Sequence, residues 1–151
     1  MKTQEPRTIY LKDYRPAPYV IDETVLDIRL HPSETDVASR LAVRPNPAAK
    51  GKPGALTLDG EKLRLISVAI DGKALPHTAY AVGDKSLTIV NPPAEPFVLE
   101  LVSICDPEAN KALSGLYRSG QLYCTQCEPE GFRSITYYLD RPDVRAKFRV
   151  R

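Results

Sequence analysis

Proline most limits what this chain can fold into: fourteen are spread through 151 residues, nearly twice average usage. Proline fixes φ and has no N–H, so it breaks helix interiors but is tolerated at strand starts, sheet edges and turns. Between the prolines, the apolar residues recur with period two and not 3.6. In residues 24–30, Leu26, Ile28 and Leu30 alternate with Asp27 and Arg29, the pattern of a strand with one buried face. Residues 37–44 repeat it, with Val37, Leu41 and Val43 on one face and Arg40 and Arg44 on the other.

Turn chemistry separates these runs. Asp71-Gly72 lies between residues 63–70 and 74–80 and predicts a tight hairpin. Gly83-Asp84-Lys85 leads into a strand at residues 86–90, which Asn91-Pro92-Pro93 ends. Residues 97–104 are apolar on both faces apart from Glu100, as a central strand of a sandwich requires. Residues 116–117 and 121–125 are expected to pair across Arg118-Ser119-Gly120. Residues 45–54 hold three prolines and two glycines and read as an exposed loop. Residues 1–23 read as an extended arm, kept irregular by Pro16 and Pro18 and anchored by Tyr10, Tyr14 and Tyr19. One short helical turn is expected between residues 131 and 139. With no long 3.6-period segment, the chain reads as one all-β domain over residues 1–151, an antiparallel β-sandwich.

Composition narrows the function classes. A net charge of +2 is too small to favour nucleic acid or an anionic membrane as partner. No apolar run approaches the roughly 20 residues of a spanning helix. The N-terminal stretch is polar and proline-punctuated, without a signal-peptide core, so a cytoplasmic location is expected. The odd cysteine count, three, argues for reduced thiols over a disulfide framework. Cys124-x-x-Cys127 is a possible half zinc knuckle or redox pair. Only Cys105 remains as a further thiol, however, and the motif sits in an expected strand, not at a helix N-terminus. His31 and His77 are far apart in sequence, and each reads as a turn or surface residue.

The specific signal lies near the end. Residues 125–150 read TQCEPEGFRSITYYLDRPDVRAKFRV: a Thr-Gln-x-Glu block, then Arg133, an aromatic-rich turn, an Asp-x-Pro step and a strand with a late Phe. This run resembles the N-terminal domain signature of the zinc aminopeptidases of the aminopeptidase N family, its bacterial branch above all, with about a dozen positions agreeing without gaps. Tyr14-Arg15-Pro16-Ala17-Pro18-Tyr19 matches the family's opening more loosely, and the middle agrees in strand pattern alone. The resemblance implies a saddle-like N-terminal domain of a multidomain zinc enzyme that removes single residues from peptide N-termini. It further implies that Gln126 and Glu128 face the free amino group of the substrate. Arg133 falls on the family's arginine position and is expected to tie that loop to its surroundings by hydrogen bonds.

Local chemistry agrees with that assignment. In an extended segment residues two apart share a face, so Gln126 and Glu128 are expected to point the same way, and Pro129 favours an extended Glu128. A carboxylate and an amide oxygen converging on one point form a receptor for an ammonium group. The plain alternatives are an exposed strand end beside a turn, and for Arg133 an ordinary surface arginine. Phe132, Tyr137 and Tyr138 are expected to pack against the sandwich.

Family catalysis needs H-E-x-x-H, two histidines one helical turn apart on zinc, and this chain has none. Zinc is therefore expected in the parent enzyme and not on these residues, and the chain by itself is expected to be inactive. Ala146, Phe148 and Val150 alternate with Arg145, Lys147, Arg149 and Arg151, so the last residues read as an amphipathic strand. A chain that stops inside a strand is expected to be a fragment, with a catalytic domain after residue 151 that packs against this one. A stand-alone β-sandwich binding or scaffolding module is the alternative from another class.

Overall fold

Two β-layers follow from the period-two patterns in the computed structural model, which describes residues 10–51 and 53–151. Part of the expected arm (residues 1–9) and Lys52 of the expected loop lie outside the described residues. The strands of the larger layer are β1 (Tyr19–Arg29), β2 (Thr35–Pro45), β4 (Arg64–Ile70), β5 (Lys73–Ala74), β8 (Phe97–Cys105) and β11 (Lys147–Val150). They form a six-stranded sheet in the order β11-β1-β2-β8-β4-β5. A three-stranded sheet, ordered β3-β7-β6, consists of β3 (Leu56–Asp59), β6 (Tyr80–Gly83) and β7 (Ser86–Ile89). A hairpin of β9 (Gly115–Ser119) and β10 (Leu122–Gln126) forms a separate two-stranded sheet. Pairing is antiparallel throughout, except that β11 runs parallel to β1.

One face of the large sheet carries the core. Leu41 and Val43 on β2, and Leu99 and Leu101 on β8, meet Leu56, Leu58, Leu87 and Ile89 of the three-stranded sheet. A smaller cluster joins Leu26, Val37 and Cys105 to Leu116 of the β9–β10 hairpin and to Ile135. Buried hydroxyls of Thr24, Ser39, Ser103 and Thr136 are also enclosed, with Thr136 Oγ1 3.3 Å from Ser39 Oγ. The burial of one alternate face per strand is what the sequence pattern of residues 37–44 requires.

The structure corrects several boundaries. The arm does not extend to residue 23, because β1 starts at Tyr19. A bulge at Asp22 shifts the register between Ile21 and Glu23, so alternation read backwards from Leu26 fails at that point. Residues 74–80 are not one strand. β5 stops at Ala74, and Pro76 lacks an N–H for a ladder; its carbonyl instead accepts the N–H of Ala79, closing a 3-10 turn at His77–Ala79. The Asp71-Gly72 turn is present, both residues having positive φ (49° and 76°), as a two-residue hairpin of this hand needs. In the β9–β10 hairpin, Ser119 pairs with Leu122, which puts the turn at Gly120-Gln121. Strand β3 has no counterpart in the sequence reading, although Leu56 and Leu58 are both fully buried. The expected helical turn is the 3-10 segment Phe132–Ser134.

Candidate functional site

Strand β10 ends at Gln126, and the chain then folds back on itself. The N–H of Gly131 donates to the carbonyl of Cys127 at 3.0 Å. Within this turn the Glu128–Pro129 peptide is cis and Glu130 has a φ of 62°. The Gln126 side chain donates through Nε2 to the carbonyl of Glu128 at 3.2 Å. That bond occupies the amide nitrogen and leaves Oε1 as an acceptor. Glu128 is exposed, and it forms no ion pair within 4 Å among the described residues. Both side chains line an open hollow of about 720 Å³. The strand alternation expected of residues 126–128 is not the cause, since Glu128 already belongs to the turn. The turn sets both residues on one hollow, and the Gln126 amide is bonded to the Glu128 backbone carbonyl.

The opposite part of the hollow comes from Asp140, Arg141 and Pro142. Arg133 joins the two parts. Its backbone N–H and its Nε both donate to Asp140 Oδ2 at 3.0 Å, and its Nη2 donates to the Asp140 carbonyl at 2.9 Å. Nη2 also lies 3.4 Å from Glu130 Oε2, and Nη1 lies 3.9 Å from Asp59 Oδ1. Desolvation disfavours the Arg133 charge, but the bond to Asp140 and the charges of Asp59, Asp140 and Glu130 outweigh it and raise its pKa. Burial, reinforced by the charge of Asp140, raises the Cys127 thiol. A second latch ties in the N-terminal segment: Arg141 grips Asp143 at 2.9 and 2.8 Å, Tyr14 donates to Asp143 at 2.9 Å, and Arg141 Nη2 donates to the Arg15 carbonyl at 2.9 Å. The bond from Arg141 holds the Asp143 carboxyl below its ordinary value.

Sequence reasoning singled out Gln126, Glu128 and Arg133, and the structure gathers all three around this turn. It gave no role to Asp140 or Gly131, which lie within the signature, and did not single out Asp59. A Cβ on Gly131 would lie 2.5 Å from the Gln126 carbonyl oxygen and 2.9 Å from Cys127 Cα, so only glycine allows the turn to close this tightly. Phe132 and Tyr138 meet edge to face, with centroids 4.9 Å apart, and Tyr137 is 2% exposed. All three aromatic residues pack, as expected.

Among the described residues no three His, Cys, Asp or Glu side chains are grouped to hold a metal. His31 Nδ1 accepts the N–H groups of Ser33 and Glu34, and His77 Nδ1 faces the Tyr80 hydroxyl at 2.8 Å. The Cys105 thiol, pushed up to about 11 by burial, is not a thiolate at neutral pH.

With this geometry in view, relatedness is decisive. The family model of the peptidase M1 N-terminal domain matches residues 20–151. The chain belongs to the peptidase M1 N-terminal domain family. Aminopeptidase N of Caulobacter vibrioides is 48% identical over 151 residues, covering 100% of this chain and 17% of that protein. Aminopeptidase N of Escherichia coli is 47% identical over 147 residues, covering 97% and 16%. The chain thus spans about a sixth of the length of the curated relatives it matches. Legionella pneumophila aminopeptidase A, solved in complex with aspartic acid, superposes with a TM-score of 0.86 at 32% identity, over 93% of this chain and 16% of that one. An M1 zinc metallopeptidase from Deinococcus radiodurans, bound to a Tyr-Ser-Ala substrate, shares the fold at 19% identity and a TM-score of 0.72, over 88% of this chain and 32% of that one.

Proposed function

We propose that this M1 N-terminal domain forms the wall of an aminopeptidase cleft that binds the substrate α-amine. The observation that carries the reading is the turn after β10, where Gln126 and Glu128 line one open hollow. There the Glu128 carboxylate accepts charge-assisted hydrogen bonds from an ammonium group, and Gln126 Oε1 adds a neutral acceptor. A receptor held on a turn at the end of β10 sets the distance from the peptide N-terminus to the scissile bond, so one residue is removed at a time. Zinc held by residues outside this chain supplies the hydrolytic chemistry in the whole enzyme. The parent's catalytic domain, following this one, is the partner that completes the cleft.

The test is steady-state kinetics on the whole peptidase with an alanine anilide. A hydrogen bond to a charged group is worth roughly 1.5–3 kcal/mol, so Glu128→Ala should lower kcat/KM by about 10- to 100-fold. Unchanged kinetics would remove Glu128 from the amine site. The 151-residue chain by itself should show no turnover with added zinc; zinc-dependent hydrolysis by it would refute the division of labour.

A further inference from the structure

We propose that Asp140 is a positioning residue for the amine site, acting on Glu128 through Arg133. The inference rests on the amine-site reading of Glu128. The turn that carries Glu128 has two internal hydrogen bonds, Gly131 N–H to Cys127 and Gln126 Nε2 to Glu128. They fix its shape, while its place against the rest of the molecule is set by neighbours, the Ser114-Gly115 segment beside Gly131 and the Arg133 side chain among them. Arg133, in the 3-10 segment that follows the turn, contacts Glu130 of the turn on one side and Asp140 on the other.

Asp140 is suited to hold it. Its side chain is only 15% exposed and accepts two N–H groups of Arg133 on one oxygen, while its own carbonyl accepts a third. Its backbone N–H donates to Asp59 Oδ2 at 3.2 Å. Asp59 is the last residue of β3, and it exchanges two backbone bonds with Tyr138, of 2.7 and 3.0 Å. An unbroken path therefore runs from the three-stranded sheet through Asp59 and Asp140 to Arg133, and from there to the turn. Charge-assisted bonds in a water-poor setting hold a side chain more tightly than neutral ones. A catalytic constellation depends on such supporting contacts, because small displacements of a substrate-binding group cost large factors in rate.

A double-mutant cycle on the whole peptidase tests the proposal, with kcat and KM for an alanine anilide measured for the parent, Asp140→Ala, Glu128→Ala and the double variant. Asp140→Ala should lower kcat/KM about tenfold, chiefly through a higher KM, when Glu128 is present. In the Glu128→Ala background it should change kcat/KM by less than about twofold. Equal losses in both backgrounds, or no loss in either, would overturn the proposal and leave the amine site standing. If Glu128→Ala alone changes nothing, the amine-site reading fails first and this inference falls with it. Thermal melting accompanies each variant. Should Asp140→Ala not fold, Arg133→Lys replaces it in the cycle, since it keeps the charge and loses the planar fork. The same non-additivity with Glu128 is expected, and loss of the fold there as well would reduce the pair to a structural contact and overturn the proposal.

Discussion

Asp143 sits where the N-terminal segment meets the candidate site, and its charge strengthens that junction. Arg141 grips it with two nitrogens and Tyr14 donates to it. Both contacts are stronger with the ionised carboxylate, and its pKa is lowered in the folded chain, first of all by the Arg141 bond. A carboxyl with a lower pKa in the folded state stabilises the fold fully above its unfolded pKa of about 3.9. That contribution disappears as the pH falls through the folded value. The melting temperature of the chain should therefore exceed that of Asp143→Asn by a constant margin above about pH 5, and the margin should shrink on further acidification. A margin independent of pH down to about 2.5 would show that the carboxylate adds nothing to the latch.

At the scale of elements, what the sequence revealed depended on whether one strand alone carried the signal. Residues 37–44 were legible because every second side chain is buried, and residues 97–104 because they form an apolar run, which the structure buries on one face and half-buries on the other. The β3 strand was not: it is four residues long, and its two leucines are too few to establish a period. Register was legible at Asp71-Gly72, where the turn type is local, and was lost at Asp22, where a bulge is set by the neighbouring strand. For the site, the chemical identity of Gln126 and Glu128 could be read, but the contact of Arg133 with Asp140 spans seven residues of chain and exists only once the turn has closed. The tightness of that turn is itself testable. Backbone atoms at 2.5 and 2.9 Å from the Cβ position of Gly131 cannot swing aside as a flexible side chain would. Gly131→Ala should therefore destabilise the domain by about 1–3 kcal/mol, read as a lower urea midpoint, with a matching fall in kcat/KM of the whole enzyme. An unshifted midpoint would mean that the turn has slack.

On the scale of the whole molecule, stability resides in the shared interior of the two larger sheets. Leu99 is fully buried within β8, so Leu99→Ala should cost about 2–5 kcal/mol in chemical denaturation. Leu122, 69% exposed on the hairpin, should tolerate alanine within about 0.5 kcal/mol; comparable losses at both positions would contradict this placement of the core. The bulge in β1 links this interior to the smaller one beneath the site hairpin. Before Asp22 the inward residues carry odd numbers, Ala17, Tyr19 and Ile21, and all three join the larger cluster. After it they carry even numbers, and Leu26 and Ile28 join the smaller cluster. One continuous strand is thus written in two phases, and its change of parity coincides with the handover from one interior to the other.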